Sequence, residues 1–187
     1  MLDLILASSS PRRSALLKQI KIPFRVVESS YREPCVKGEQ EVENIALAKA
    51  ANVSPSFPES IVLGADTEVF CEGKALGKPS DGQDARRMLQ FLSGKTHKVI
   101  TAVALVQGEK KEVAREETMV TMRKIHPGEI EAYVHSGEAM GKAGSYAIQE
   151  KGAVFVEKIE GCYFNVVGLP LVLLTKMLQD FSFSVWD

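Results

Sequence analysis

The stretch LDLILASSSPRRSALLKQI, residues Leu2–Ile20, decides the fold of this chain. Its first part, Leu2–Ala7, is an apolar run typical of a buried strand. The polar segment Ser8–Pro11 follows, in which Ser10 suits the N-cap of a helix and Pro11 suits the first helical position. Apolar residues at helical spacing come next. The stretch therefore predicts a strand, a hydroxyl-rich loop and a helix.

Arg12 and Arg13 fall in the first turn of that predicted helix. Unbonded N–H groups and the helix dipole already make this end positive, so cations are unfavourable there unless an anion binds. Serine hydroxyls, open amides and two guanidinium groups together predict a phosphate site. The alternative is a pair of solvated arginines on a surface helix.

Length and composition indicate a globular protein of one domain, or of one domain with an added lobe. The chain has 187 residues, 45% hydrophobic and 25% charged, with a net charge of −1. This balance argues against nucleic acid or an acidic membrane surface as a partner. Cys35, Cys71 and Cys162 have neither zinc-site nor disulfide spacing, which predicts a reducing, cytoplasmic compartment. We see no apolar segment long enough for a signal peptide or a membrane span.

Hydrophobic periodicity predicts helices and strands that alternate early, with strands clustering later. This order favours a mixed α/β sheet over a purely parallel one. Ser80 is the predicted cap of the third helix, which stops at Gly94. The further predicted strands are 24–28, 61–65 with a continuation over 68–70, 99–106, 113–122, 153–159 and 162–167, and the further predicted helices are 39–52, 127–136 and 171–181.

Two carboxylates are candidates for chemistry. Asp66 follows the apolar strand 61–65, and ligands of open α/β sheets collect outside the carboxyl ends of such strands. A carboxylate there can hold a divalent metal ion or accept a proton from water. Glu33 lies in the polar loop 29–38. The alternatives are a turn-forming aspartate and a solvated glutamate.

Two lysines could share the same sheet edge. Lys49 lies on an otherwise small and apolar helical stretch, and Lys78 is held in extended geometry by Pro79. Each alone could be a solvated lysine. Together with Glu33 and Asp66, these cations make up the side chains that triphosphate chemistry with magnesium requires.

A late loop of small residues, Met140–Gln149, would allow a flat ligand to approach the backbone. Gln149 offers a paired donor and acceptor that suit the edge of a base. The alternative is a plain connecting loop.

Several segments, in this order and spacing, resemble the Maf family over nearly the whole chain. The resemblance implies one domain over residues 1–187 with a mixed, elongated central sheet, flanking helices and a nucleotide cleft, as in inosine triphosphatases. The segments are Leu6–Arg13, Gly64–Thr67, Lys78-Pro79, Leu92–Gly94, Lys142–Gly144, Ile148-Gln149 and Val167–Pro170.

The resemblance implies a nucleoside triphosphate pyrophosphatase, which releases a monophosphate and pyrophosphate. Arg12, Thr67 and Gln149 match the branch that acts on dTTP and UTP, with modified pyrimidine nucleotides as further substrates. The resemblance also implies a divalent cation, Mg²⁺ or Mn²⁺, held through Glu33 and Asp66. The implied catalytic residues are Asp66, Lys78 and Glu33, and the implied substrate-binding residues are Ser8, Arg12, Arg13, Lys49, Thr67 and Gln149.

Two residues depart from the family pattern: Gly141 stands where aspartate is usual, and Ala147 stands where glycine is usual. The first removes a carboxylate from the late loop.

Other functions stay open, namely a nucleotide-binding regulator of septum formation with little turnover, or a pyrophosphatase for 7-methyl-GTP or other purine nucleotides. Whether the protein is a monomer or a homodimer is also open.

Overall fold

The computed structural model describes residues 3–186, so Leu2 of the first predicted strand lies outside the described residues. The chain forms strands and α-helices in alternation up to β3. The strands are β1 (Leu4–Leu6), β2 (Arg25–Val26), β3 (Ile61–Cys71), β4 (Lys74–Ala75), β5 (Thr96–Gln107), β6 (Lys110–Met122) and β7 (Val156–Glu160), and the helices are α1 (Pro11–Gln19), α2 (Gln40–Val53), α3 (Gly82–Leu92), α4 (Pro127–His135), α5 (Tyr163–Val167) and α6 (Leu171–Asp180).

All seven strands belong to one sheet of order β2-β1-β3-β5-β6-β7, with β4 paired to β3. β1 runs parallel to β2 and β3, whereas β3, β5, β6 and β7 pair antiparallel in succession. The prediction of a mixed sheet flanked by helices is confirmed. The long β3–β5–β6 meander explains why apolar strands cluster in the second half of the sequence.

Helices cover both faces of the sheet. α2 packs its apolar stripe on one face, against alternate residues of β3 and β5. On the other face, α1 and α6 cover the β1 side, and α3 and α4 cover the part nearer β7. Alternate residues of β3 and β5 belong to the cores on the two faces, because these two long strands are buried on both faces.

The middle of β3 lies at an open edge of the sheet. β1 pairs with β3 only as far as Leu63, and β4 pairs with it only from Phe70. Flanking backbone bonds mark the two limits: the Ala7 amide donates to the Leu63 carbonyl at 2.8 Å and the Leu76 amide to the Val69 carbonyl at 2.7 Å. The gap between them exposes the edge of a central strand, and this gap positions the site.

Gly64 allows α2 to approach β3 closely. A Cβ atom at this position would lie 2.2 Å from the Ala46 carbonyl oxygen and 2.8 Å from the Ala50 amide nitrogen. Both are backbone atoms, which cannot move aside as a side chain can. The close contact brings the face of α2 that carries Lys49 directly over β3.

Three element predictions are wrong. Residues 162–167 were expected as a strand but form α5, because Thr101 and Thr118 donate hydroxyl bonds to the Asn165 and Cys162 carbonyls and hold this segment on the sheet face. Residues 151–155 form a 3₁₀ turn, so β7 begins later than expected.

The third error concerns the cap of α3. The Asp81 side chain, not Ser80, caps this helix by accepting from the Asp84 amide at 2.8 Å. Ser80 instead donates its amide to the Asp84 carboxylate at 3.0 Å. None of the described helices is long and apolar enough to cross a membrane.

Candidate active site

A cavity of about 550 Å³ opens at the exposed edge of β3. It is bounded by the loop after β1, the loop that carries Glu33, and the late loop around residues 141–149. Every site residue predicted from the sequence lines this cavity. These residues are Ser8, Arg12, Arg13, Glu33, Lys49, Asp66, Thr67, Lys78 and Gln149.

Arg13 is a buried cation held by three neutral acceptors. Its Nε donates to the Gly168 carbonyl at 2.9 Å, and its terminal nitrogens donate to Ser8 Oγ and Thr67 Oγ1, each at 3.1 Å. The residue is 8% exposed. Burial lowers the pKa of the guanidinium, and the charge of Asp66 opposes that shift. No carboxylate of residues 3–186 forms an ion pair with Arg13, so its charge is available to an anion in the cavity.

Arg12 is anchored to the same segment but less completely. Its Nε donates to the Val167 carbonyl at 3.3 Å. Both arginines therefore bind carbonyls at the end of α5, which carries partial negative charge. This contact explains how two cations are tolerated in the first turn of α1, where Ser10 occupies the N-cap position without a side-chain cap bond.

Lys49 lies on the buried stripe of α2, which also contains Val42, Ala46, Ala50 and Val53. A charge on such a stripe requires a partner in the core. Asp66 is that partner: Lys49 Nζ donates to its Oδ1 at 2.6 Å, and the two side chains are 8% and 9% exposed. The alternative of a solvated lysine is wrong.

Glu33 bridges the two lysines across the cavity. Its carboxylate lies 2.7 Å from Lys49 Nζ and 3.0 Å from Lys78 Nζ. Burial acts to raise the pKa of Glu33, but the bonds and charges of the two lysines outweigh burial and lower this pKa to about 2. Glu33 is therefore an anion that already pairs with two cations of the cavity, Lys49 and Lys78.

The location of Asp66 differs from the prediction. It was expected at the carboxyl end of a strand, but β3 continues to Cys71, so Asp66 lies in mid-strand. It still reaches the cavity because β1 ends beside Leu63 and leaves this part of β3 without a neighbour. The strand end that opens the cavity is therefore that of β1, and the role of Asp66 stays a prediction.

Glu68 is a carboxylate that the sequence reasoning missed. It lies two residues beyond Asp66, on the same face of β3, and is 6% exposed. Its only hydrogen bond among residues 3–186 comes from the adjacent Val69 amide, at 3.0 Å, and no lysine or arginine of that range pairs with it. Burial raises the pKa of Glu68 to about 7, and the charge of Asp66 adds to this effect. The sequence signal was period-two spacing from Asp66.

Replacing Glu68 with glutamine is expected to stabilise the nucleotide-free protein at pH 8 by about 2–3 kcal/mol. The pKa of Glu68 rises from 4.5 in the unfolded chain to about 7 in the folded one. The contribution of this carboxyl to stability is therefore complete below pH 4.5 and is lost as the pH rises towards 7 and above. Denaturant unfolding from pH 5 to pH 8 in EDTA measures the change. The exposed Glu157→Gln is the control, and an unchanged pH dependence in Glu68→Gln would contradict the assignment.

Thr67 and Gln149 approach the cavity from different elements. Thr67 Oγ1 accepts from Arg13 and lies 2.9 Å from Thr101 Oγ1, so its hydroxyl is fixed. Gln149 is exposed, and its amide forms no hydrogen bond within residues 3–186. Gly141 and Ala147 also line the cavity, and Gly141 has φ +70°. Both departures from the family pattern therefore affect the surface that a ligand would touch.

The carboxylates suit a cation that is also bound by its substrate. No cluster of three or more His, Cys, Asp or Glu side chains with metal-binding geometry occurs in residues 3–186. Glu33 and Asp66 nevertheless meet at one lysine nitrogen, and Asp66 Oδ2 has no hydrogen-bond partner within that range. Mg²⁺ is usually bound by one or two carboxylates of the protein, and phosphate oxygens of the substrate complete its coordination shell. The donor set fits such an ion.

The fold and the cavity define a mixed α/β protein with a cation-lined cleft at an open sheet edge. The family model described as Maf-like protein matches residues 3–181, and the chain belongs to this family. A dTTP/UTP pyrophosphatase of Moorella thermoacetica is 49% identical over 193 residues, covering 100% of this chain and 98% of that protein.

A second relative and a solved structure are also similar to this chain. A dTTP/UTP pyrophosphatase of Symbiobacterium thermophilum is 47% identical over 189 residues, covering 100% of this chain and 97% of that protein. Among solved structures, the Staphylococcus aureus Ham1 protein aligns with a TM-score of 0.48 and 12% identity, covering 64% of this chain and 71% of that one.

Proposed function

We propose that this protein is a nucleoside triphosphate pyrophosphatase that converts dTTP and UTP to the monophosphate and pyrophosphate. The observation that carries the proposal is one cavity lined by five cations and three carboxylates, Glu33 and Asp66 among them. A site for simple anion binding does not need carboxylates beside a triphosphate, whereas hydrolysis does. Full-length relatives named dTTP/UTP pyrophosphatase support the choice of substrates.

The cations bind the phosphate chain. Arg13 carries a buried charge with no ion-pair partner among the described residues, so a phosphate oxygen would complete its environment. Lys49 and Lys78 now bind Glu33 and can exchange it for phosphate oxygens. Ser8 and the first-turn amides of α1 offer neutral donors at the same end of the cavity. Preorganised donors of this kind stabilise the charge that develops on the leaving pyrophosphate.

Asp66 activates the attacking water. Its Oδ1 is fixed by Lys49, and its Oδ2 accepts no hydrogen bond from residues 3–186, so Oδ2 can take the proton of a water directed at the α-phosphorus. The bond from the α-phosphorus to the bridging oxygen then breaks, and pyrophosphate leaves. Lys78 lies on the rim of the cavity and neutralises the departing charge.

Glu33 and Asp66 would hold a divalent cation, Mg²⁺ or Mn²⁺, together with the phosphates. Bound there, such an ion would supply positive charge to the phosphate oxygens. Glu33 then has two alternative partners, its lysines without substrate and the cation with substrate. This exchange accounts for a strongly acidic glutamate in a site that must bind anions.

Base selection is assigned to Arg12, Thr67 and Gln149. The unpaired amide of Gln149 presents a donor and an acceptor, the pair needed for the edge of a pyrimidine. Thr67 acts through a fixed hydroxyl, and Arg12 retains terminal nitrogens that form no bond within residues 3–186.

A panel of triphosphates tests this proposal. With Mg²⁺ or Mn²⁺ we expect pyrophosphate release from dTTP and UTP at least about 10-fold faster than from purine triphosphates, since one well-placed hydrogen-bonding pair discriminates by about that factor or more. EDTA should abolish turnover. Preference for 7-methyl-GTP or ITP would contradict the substrate, and nucleotide binding without metal-dependent product would favour a regulatory protein.

A further inference from the structure

The segment that carries Glu33, residues 27–39, contains no helix or strand. Few hydrogen bonds tie it to the rest of the molecule. The Val27 amide bonds to Leu6 at its start, and the Lys37 amide bonds to Glu41 at its end. Between these points, the polar side-chain attachments of the segment to the rest of residues 3–186 are the ion pairs of Glu33 and the bonds to Asn52 of α2, and Val36 packs against the apolar core beneath α2.

Asn52 accepts three hydrogen bonds on a single oxygen. Its Oδ1 lies 2.9 Å from the Ser30 amide nitrogen, 3.1 Å from Ser30 Oγ and 3.1 Å from Ser29 Oγ. A backbone amide can only donate, so the atom facing it must be the carbonyl oxygen. Ser29 Oγ in turn accepts from the Tyr31 amide at 3.2 Å, which leaves its proton for Asn52.

α2 therefore holds the segment at two points. Lys49 and Asn52 are three residues apart and lie on neighbouring turns of one helix face. Lys49 binds Glu33 itself, and Asn52 binds the backbone three residues before it. The first attachment is ionic and lies in the cavity. The second is neutral, and Asn52 and Ser30 lie outside the cavity lining, although Ser29 belongs to it.

The two attachments respond differently to a triphosphate. Phosphate oxygens compete with Glu33 for Lys49 and Lys78, so substrate binding weakens the ionic attachment. Asn52 meets no charged group in the segment and keeps its bonds. We infer that Asn52 is a positioning residue of the reaction, which holds Glu33 at the cavity while its lysine partners bind phosphate. This inference rests on the proposed function.

Asn52→Leu removes the acceptor and keeps the side-chain size. We expect kcat/KM for dTTP to fall about 10-fold, because displacing a charged group at the site by a fraction of an ångström has effects of this order. Asn52→Asp keeps an oxygen acceptor and should stay within about 2-fold of the wild type. Asn44→Leu is the matched control, since Asn44 is an exposed asparagine of the same helix, and it should leave kcat/KM unchanged.

A double-mutant cycle separates positioning from general stability. In a Glu33→Gln background, Asn52→Leu should change kcat/KM less than about 2-fold, because Asn52 acts through Glu33. Additive losses in the cycle, or wild-type activity in Asn52→Leu, would overturn the inference. If Asn52→Leu fails to fold, the loop-side double variant Ser29→Ala and Ser30→Ala removes the two hydroxyl donors and should give a smaller loss with the same dependence on Glu33. Absence of pyrophosphate release by the wild type would instead refute the proposed function.

Discussion

Asp66→Asn is expected to lower kcat for dTTP by about 10³-fold, the size of effect that a lost general base has in enzymes. Asparagine keeps the shape of the side chain and the Oδ1 atom that accepts from Lys49 at 2.6 Å. It replaces Oδ2, which has no hydrogen-bond partner in the described chain, with an amide that cannot accept a proton. Pyrophosphate release under saturating dTTP and Mg²⁺ measures the change.

The binding of dTTP gives the necessary control for Asp66→Asn. Five cations line the cavity, and the substitution removes none of them, so calorimetric affinity for dTTP without metal should not fall. Asp180→Asn changes an exposed carboxyl at the end of α6 and should leave kcat unchanged. A wild-type rate in folded Asp66→Asn protein would show that another group takes the proton.

The first strand, loop and helix could be predicted from the sequence because their signals are local. Within 20 residues there are an apolar run, a serine at the N-cap, a proline and a helical periodicity, and all of them indicate the same strand, loop and helix. From the sequence, Arg13, Glu33 and Asp66 could be placed only at a shared edge of the sheet, and their contacts could not be predicted. The structure supplies the reason they meet, which is that β1 is three residues long and stops beside Leu63.

Lys49 carried a signal that the sequence reasoning used only in part. Its place among small apolar residues was noted, but its position on the stripe of Val42, Ala46 and Ala50 already required a buried partner. Spacing along one helix cannot identify that partner, since Asp66 comes from a strand 17 residues away.

α5 and Glu68 were mispredicted or missed for non-local reasons. The segment of α5 has strand-like composition, yet Thr101 and Thr118 of the neighbouring strands bind its carbonyls and favour a helical turn. From the sequence, Glu68 resembles a solvated residue of an alternating strand. In the structure it is buried, because both faces of β3 are covered. In each case tertiary contacts outweighed local propensity.

Arg13→Lys is expected to lower the free energy of unfolding by about 2–4 kcal/mol, although the charge is retained. Arg13 donates to the Gly168 carbonyl, Ser8 Oγ and Thr67 Oγ1 through three different nitrogens. A single ammonium on a flexible stem cannot reach all three, so at least one buried acceptor loses its partner. Denaturant unfolding of the nucleotide-free protein measures this loss.

The same substitution should also weaken phosphate binding. With Ser8 and Thr67 released, we expect kcat/KM for dTTP to fall about 100-fold and stabilisation by pyrophosphate in thermal unfolding to shrink, because preorganised donors contribute on this scale. Arg87→Lys is the matched control, since the Arg87 side chain is 72% exposed on α3 and, within residues 3–186, pairs only with Asp84 at the surface. Arg13→Lys protein with wild-type stability and wild-type affinity for pyrophosphate would mean that charge alone matters at this position. A loss in both measurements would instead show that the fork geometry of the guanidinium joins α1, β3 and the end of α5 into one phosphate site.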